Sequence, residues 1–286
     1  MFYIKILILV FLVRVKSYSQ IPFNGQILFV NISSRLNETS GIIYWGNLLW
    51  TFNDSGGRAK LFGLSPENGK IEKIIKIKNA RNYDWEDITQ DENYIYIGDF
   101  GNNFGNRKNL VIYKIAKTDI GQNKKNKVIA TKISFSYESQ VDFKISLGQT
   151  SYDCEAIASY NDSLLLVSKD WQNMQPFVYL LSKNPGNYSL KEKAIIPNKG
   201  LITGADTDES NHLLWLCGRN MDSPFIMAIE LEADGFVISN TWLIELPFLR
   251  GMQIEGIAVS DNVIYLSAEA SLLQQRIYKI TGLSLR

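Results

Sequence analysis

Three short stretches of the sequence concentrate side chains that can bind a cation or assist hydrolysis. The first is Asp84–Ile88, which reads Asp-Trp-Glu-Asp-Ile. The second is Gly98–Asn103, which reads Gly-Asp-Phe-Gly-Asn-Asn and is followed by Arg107. The third is Asn53–Gly57, which reads Asn-Asp-Ser-Gly-Gly. Carboxylate and amide oxygens are the ligands that Ca²⁺ prefers, and carboxylates also serve as general acids and bases.

The acidic stretch is one copy of a repeat. Equivalent anchor positions fall at Ser40, Glu86, Glu155, Gly204 and Glu255, at separations of 46, 69, 49 and 51 residues. In each copy a short apolar strand follows the anchor and a second strand ends in polar residues. A constant internal pattern with variable outer spacing is typical of structural repeats that carry loop insertions.

Each copy reads as four short β-strands. In the first copy we expect strands over 41–45, 48–52, 59–64 and 70–77, separated by turns rich in Gly, Asn and Pro. Four-stranded units repeating every 40 to 50 residues predict an all-β chain folded as a β-propeller. We expect five blades. Six is the alternative, because the longest gap holds two further strand-like runs, 129–137 and 141–145.

The last copy lacks a fourth strand, and a spare strand precedes the first copy. Residues 26–31 are therefore expected to pair with 275–280. This pairing would close the ring and cover an edge that is otherwise prone to aggregation.

The repeat predicts where the carboxylates meet. The first strand of each propeller blade lines the central channel, so Glu86, Glu155 and Glu255 are expected to converge there. The predicted metal ligands are Glu86, Asp99, Glu155 and Glu255, with Ca²⁺ as the ion. In the alternative, each Glu accepts hydrogen bonds from backbone N–H groups of the next blade and only ties the blades together.

Residues that close the second strands, with a nearby loop, are expected on one face. The candidate ligand-binding residues there are Asp54, Asn102, Asn103, Arg107 and Trp171. If the protein is a hydrolase, Glu86 or Asp87 would be the base that activates a metal-bound water. His212 is the single histidine, which argues against Ser-His-Asp and His-based zinc sites.

The three stretches, with Glu155-Ala156, resemble a family of exported bacterial β-propeller proteins. More distantly, the chain is similar to phytase-type esterase-like propellers and to the gluconolactonase type. That resemblance implies a central channel with acidic and amide metal ligands. Two copies depart from the pattern: Gly204 stands where the others have Glu, and Ser40 stands there in the first copy.

The N-terminus predicts export. An apolar run over 6–13 precedes Ser17 and Ser19, as in a signal peptide covering 1–19; a retained anchor is the alternative. Residues 20–286 then form one propeller domain, monomeric and located in the periplasm or outside the cell. Cys154 and Cys217 are expected to be buried free thiols.

The near-neutral composition limits the partners. With 30 Lys and Arg against 29 Asp and Glu, the net charge is +1, and no nucleic-acid or membrane partner is expected once the signal is removed. The predicted function is a binding module for a small molecule, glycan or protein, with Ca²⁺ as the candidate cofactor. The alternative is a calcium-dependent esterase, lactonase or phytase-like hydrolase.

Overall fold

The computed structural model describes residues 18–145, 147–197, 200–221, 223–232, 238–270 and 274–285. Its strands form five sheets arranged as a five-bladed propeller, which confirms the predicted fold. Most of the predicted signal peptide lies outside the described residues. Within the described residues, no helix is long and apolar enough to cross a membrane.

The strands, numbered in chain order, fill the blades in turn. Two N-terminal strands come first, β1 (Ser19–Gln20) and β2 (Gln26–Asn31). Blade 1 holds β3 (Thr39–Trp45), β4 (Leu48–Asn53), β5 (Lys60–Leu64) and β6 (Ile71–Ile77). Blade 2 holds β7 (Trp85–Gln90), β8 (Tyr94–Asp99), β9 (Leu110–Ala116) and, after the short β10 (Lys125–Val128), β11 (Thr131–Tyr137).

The remaining blades follow the same order. Blade 3 holds β12 (Cys154–Tyr160), β13 (Ser163–Ser168), β14 (Phe177–Ser182) and, after β15 (Gly186–Leu190), β16 (Glu192–Ile195). Blade 4 holds β17 (Leu201–Asp208), β18 (Leu213–Arg219), β19 (Pro224–Leu231) and β20 (Ile238–Glu245). Blade 5 holds β21 (Gln253–Ser260), β22 (Val263–Glu269) and β23 (Arg276–Thr281).

The six-blade alternative is wrong. The run predicted over 129–137 is β11, the fourth strand of blade 2, and residues 141–145 belong to no strand. The extra length of this copy is a loop insertion.

The N-terminal strand closes the ring, as predicted. β2 pairs antiparallel with β23, from Gln26 opposite Thr281 to Asn31 opposite Arg276. The observed partner is thus shifted by one residue from the expected 275–280. The ring closes between the two ends of the described chain.

Three blades carry a fifth strand that the sequence pattern did not predict. β10 pairs parallel with β6, β15 with β11, and β1 with β20. Each of these strands precedes the fourth strand of the following blade. The chain therefore joins neighbouring blades at their outer edges as well as along the channel.

The innermost strands β3, β7, β12, β17 and β21 contact one another around the axis. Each has a β-bulge at the anchor, because the pairing register shifts there. In blade 4 the shift falls between Ile202 and Gly204. Thr203, and not Gly204, therefore occupies the position of the Glu residues, which corrects the alignment made from the sequence.

Apolar side chains fill the spaces between blades. Trp85 is fully buried between blades 1 and 2, with its ring 5.4 Å from Phe52 in an edge-on arrangement. Cys154 and Cys217 are buried and free, as expected. Trp85 is consequently a packing residue that positions the adjacent Glu86.

Ring closure predicts a sharp difference between two truncations. A protein that begins at residue 32 lacks β2, so blade 5 loses its outer strand, and we expect a lower melting temperature and loss of cooperative unfolding. A protein that begins at residue 25 loses β1 but keeps β2 and should still unfold cooperatively. Calorimetry of both proteins would contradict the closure if they melted alike.

A candidate cation site at the mouth of the channel

The bulge positions of the five inner strands hold two kinds of side chain. In blades 1 and 4 they are hydroxyls. Ser40 Oγ donates to the Glu86 carbonyl, and Thr203 Oγ1 donates to the Ile254 carbonyl at 2.8 Å. In blades 2, 3 and 5 they are glutamates, and no described backbone N–H donates to these carboxylates. The inter-blade role considered for the glutamates is therefore filled by other residues.

Asp87 is the main inter-blade tie. Its side chain is fully buried and accepts hydrogen bonds from Ile157 N at 2.9 Å and Ala205 N at 3.0 Å, in two other blades. Small residues surround it, and a Cβ added to Gly204 would lie 2.8 Å from the Gly256 Cα atom. Asp87 thus occupies the axis where the backbones approach most closely, and it has no exposed surface for a substrate.

Three carboxylates lie close together on the mouth side of Asp87. Asp54 follows β4, Asp84 precedes β7, and Glu86 lies in its bulge. One oxygen from each of Asp54, Asp84 and Glu86 lies within 4.8 Å of the other two. Two ligands of one Ca²⁺ ion, each about 2.3–2.6 Å from it, are separated by at most about twice that distance. The three oxygens therefore fit around a single ion.

Glu86 is the central member of this cluster. It is only 6% exposed, and within the described residues no hydrogen bond or ion pair reaches its carboxylate. The Asp54 Oδ1 atom is also buried without a hydrogen-bond partner. Buried polar groups are normally paired, so the partnerless Asp54 Oδ1 atom beside Glu86 leaves a place at this site for a water molecule or an ion.

Gly101 provides the space for the cluster. A Cβ at this position would collide with Glu86 Oε1 and lie 2.7 Å from Asp84 Cγ. The Gly101 N–H donates to the Asp84 carbonyl at 3.2 Å, which holds the loop against β7. The glycine of the Gly-Asp-Phe-Gly motif is therefore required by close packing around the carboxylates.

Burial and mutual repulsion hold protons on these carboxyls. Burial, with the Asp84 carboxyl beside it, raises the pKa of Asp54 to about 7. Burial raises the pKa of Asp84 to about 6, against the opposing effect of Arg107. Burial and the nearby Glu155 raise the pKa of Glu86 well above its usual value. A bound cation would reverse this effect by favouring the ionised forms.

Asp99, a predicted metal ligand, is engaged by Arg107. The guanidinium Nη2 lies 2.8 Å from Asp99 Oδ1, and Nη1 donates to the Gly101 carbonyl at 2.7 Å. Arg107, a predicted ligand-binding residue, thus braces the loop beside the cluster. The second oxygen of Asp99 is buried and without a partner.

Glu155, also a predicted metal ligand, pairs with a lysine. Lys169 Nζ lies 3.0 Å from Glu155 Oε1, and both side chains are buried. Lys169 also lies over the Trp171 ring at 4.9 Å, and Trp171 Nε1 donates to Asp153 Oδ2 at 2.7 Å. Trp171, predicted to contact ligand, has one face covered by Lys169. The remaining predicted glutamate, Glu255, is half-buried on the same side of the mouth.

The two asparagines have different surroundings. Asn102 is buried: its N–H donates to Asp153 Oδ1 at 2.6 Å, and its side-chain oxygen accepts from Arg107 N at 2.9 Å. Asn103 is half-buried, and its carbonyl accepts from Gly148 N at 3.0 Å. Asn102 shapes the loop, whereas the Asn103 side chain remains a candidate contact.

Asp84 and Lys169 contribute to the mouth but were not assigned from the sequence. Asp84 lies in the acidic stretch, but it precedes the strand, and only the folded loop turns it toward Asp54. Lys169 follows the second strand of blade 3, the position at which Asp54 follows that of blade 1. A comparison of these strand ends across the copies would have identified Lys169 as a candidate residue of the mouth.

Comparisons with known proteins identify the fold. No family model matches the chain, and no curated protein matches it. Among solved structures, glutaminyl cyclase from Myxococcus xanthus is 10% identical with a TM-score of 0.56, over 92% of this chain and 97% of that one. The PQQ-bound aldose sugar dehydrogenase from Streptomyces coelicolor is 10% identical with a TM-score of 0.53, over 90% and 98%.

Likeness at this level of identity shows the β-propeller fold alone. The propeller implied by the motif resemblance is confirmed, whereas the exported family itself has no support from these comparisons. The same fold serves unrelated functions, so the chemistry must be argued from the mouth of this channel.

The raised pKa values predict that acid stabilises the protein in chelator. A carboxyl with a raised folded-state pKa keeps a proton that the unfolded chain releases, so its stabilising effect is lost as pH rises through the folded value. For Asp84, Asp54 and Glu269 these values are about 6, about 7 and about 8. We expect the melting temperature to fall from about pH 4, where the carboxyls of the unfolded chain ionise, to about pH 8, where the last of these three groups loses its proton in the folded state.

Asp54→Asn should flatten this fall, because it removes one of the buried titrating groups. Thermal denaturation of both proteins in EDTA across that range measures the effect. An unchanged melting temperature of the parent protein would show that the carboxyls are ionised at no cost.

Proposed function

We propose that this protein is an exported β-propeller binding module whose channel mouth holds one Ca²⁺ ion through Asp54, Asp84 and Glu86. The observation that carries the proposal is the cluster itself: an oxygen of Glu86, a residue only 6% exposed, lies within 4.8 Å of oxygens from Asp54 and Asp84, and Asp54 Oδ1 is buried without a hydrogen-bond partner. Three such groups repel one another unless a cation joins them.

The donor set favours calcium among biological cations. All three groups are carboxylates, and the buried Asn53 Oδ1 atom beside Asp54 has no hydrogen-bond partner. Ca²⁺ accepts 6 to 8 oxygen ligands in flexible geometry, whereas Zn²⁺ prefers His and Cys. The three carboxylates leave positions open for water or for oxygens of a ligand.

The charge of the mouth limits the ligand. Besides the three candidate ligands, Asp99, Asp153, Glu155, Glu255 and Glu269 act electrostatically on the same region, and the nearby cations are Arg107, Lys169 and Arg219. Carboxyl groups outnumber cations in this region even with one Ca²⁺ bound. Hydroxyl oxygens of a neutral glycan or polyol fit the open calcium positions better than a highly anionic ligand.

A hydrolase that uses a calcium-bound water is the second candidate. The observation in its favour is the position of Glu86, whose carboxylate would lie next to a water molecule on the proposed ion. Asp87, the other base considered from the sequence, is fully buried and bonded to backbone amides. The excess of carboxyl groups over cations favours neutral esters or lactones as substrates over phytate.

Export is part of the proposal and rests on residues 1–19, most of which lie outside the described residues. Extracytoplasmic calcium is abundant, so a site of modest affinity would be filled there. The protein would then act in the periplasm or outside the cell, as a monomer.

Calcium should stabilise the protein, and Glu86→Gln should remove most of that effect. Extracellular calcium modules have dissociation constants of about 0.1–1 mM, so about 10 mM Ca²⁺ would add about 1.4–2.7 kcal/mol. For a domain of this size the melting temperature should rise by about 3–10 °C relative to EDTA. Glu72→Gln, which changes an exposed glutamate on β6, should keep the full rise.

A steric variant tests the same site with its charges intact. Gly101→Ala places a methyl group against Glu86 and Asp84 and should also abolish the calcium effect. Gly57→Ala is the control on the same face, since its added Cβ would meet nothing nearer than 3.6 Å. Equal calcium shifts in all four variants would contradict the assignment.

The binding and hydrolase proposals differ in turnover. We expect no hydrolysis of aryl esters, lactones or phytate in the presence or absence of Ca²⁺. Calcium-dependent turnover of a neutral ester or lactone that is lost in Glu86→Gln, but kept in Glu72→Gln, would replace the binding module with the enzyme.

A further inference from the structure

Lys169 is the one cation among the described residues that is buried inside the acidic mouth. The residue is 8% exposed, and its ammonium lies 3.0 Å from Glu155 Oε1 and 4.9 Å from the centre of the Trp171 ring. Its backbone N–H donates to the Asp153 carbonyl at 2.7 Å, which fixes the start of the side chain at the end of β13.

The carboxylates around Lys169 form a second group beside the proposed calcium ligands. The charges that act on its ammonium are those of Glu155, Glu255, Asp153 and Glu86, in that order. Both oxygens of Asp153 are already occupied, by Asn102 N and by Trp171 Nε1. Glu155 is therefore the group of this side that depends on Lys169 for neutralisation, whereas the charge of Arg219 also acts on Glu255.

The mouth has two halves, one around Glu155 and one formed by Asp54, Asp84 and Glu86, and they differ in whether a cation of the protein lies beside the carboxylates. The Glu155 half contains a tethered positive charge, whereas the half formed by Asp54, Asp84 and Glu86 contains none at hydrogen-bond distance from Glu86 in the described residues. Arg107 reaches only the outer side of that half, 4.0 Å from Asp84 Oδ2, and its close partner is Asp99.

We propose that Lys169 takes the place of a second divalent ion, so that its ammonium limits the channel mouth to one Ca²⁺ ion. The inference rests on the proposed calcium site and adds what sets its stoichiometry. A tethered ammonium needs no binding from solution, so the Glu155 half is neutralised at any calcium concentration. Only the half formed by Asp54, Asp84 and Glu86 then binds calcium, and the protein binds one Ca²⁺ ion per chain.

Without the ammonium, the Glu155 carboxylate has no cation at ion-pair distance among the described residues, and Arg219 is the remaining cation that acts on the neighbouring Glu255. Removing Lys169 should therefore convert its position into a second calcium site. Lys169→Arg keeps a positive charge there and should keep one site.

Equilibrium dialysis with Ca²⁺, using the mature protein, counts the ions bound per chain. We expect one ion in the parent protein, two in Lys169→Met and one in Lys169→Arg. The double variant Lys169→Met with Glu155→Gln should return to one, because the second site loses its principal ligand. Lys183→Met is a matched control, since Lys183 is also shielded, with its Nζ 3.3 Å from Asp91 Oδ2, and should stay at one.

The outcomes separate the two proposals. A parent protein that binds no ion refutes the calcium site, and Lys169→Met binding one more ion than the parent still supports the role of Lys169. An unchanged count in Lys169→Met overturns that role. If Lys169→Met folds only when Ca²⁺ is present, the ion has replaced the ammonium. If no concentration of Ca²⁺ restores its folding, the proposal is contradicted.

Discussion

The repulsion among carboxylates brought together at the propeller axis is the constraint on which the site depends. Ring closure places the inner strands of five blades around one narrow channel, so any acidic residue repeated at the bulge position must meet its copies there. Three of these carboxylates are stabilised by the protein itself. Backbone N–H groups donate hydrogen bonds to Asp87, Lys169 pairs with Glu155, and Arg107 pairs with Asp99. Among the described residues, no such partner reaches the Glu86 carboxylate.

The fold separates the residues that tie the blades from those that form the mouth. Ser40, Thr203 and Asp87 bond across blade boundaries to backbone groups and are buried. The carboxylates of Asp54, Asp84 and Glu86 lie nearer the channel mouth and form few hydrogen bonds with the protein. Binding of the proposed cation would therefore change the charge of the mouth without breaking a tie between blades, because the two tasks use different side chains.

Much of the architecture followed from the sequence because repeat spacing and strand alternation are local properties. The four strands of blade 1, the five-blade count and the closure by β2 were all predicted from turns and short apolar runs. The parallel fifth strands were not, because β1, β10 and β15 are short and pair with residues far away in the chain. The bulge also shifted blade 4 by one residue, which spacing alone does not reveal.

The site was predictable only in part, for a physical reason. Repeat position correctly placed Glu86, Glu155 and Glu255 on inner strands, but it does not say which carboxylate a cation already neutralises. Lys169 reaches Glu155, and Asp84 reaches Asp54, through loops whose course depends on tertiary packing. The folded loops thus determine which cation or carboxylate lies next to each acidic residue of the mouth. The repeat determines only which acidic residues lie on inner strands.

A crystal structure of the mature protein grown with Ca²⁺, with anomalous scattering used to identify the ion, tests the central claim most directly. The account predicts one ion at about 2.3–2.6 Å from carboxylate oxygens of Asp54, Asp84 and Glu86, with Lys169 still paired to Glu155. A mouth that holds only water at hydrogen-bond distances from these carboxyls at saturating Ca²⁺, or an ion bound at Glu155 in place of Lys169, would contradict it.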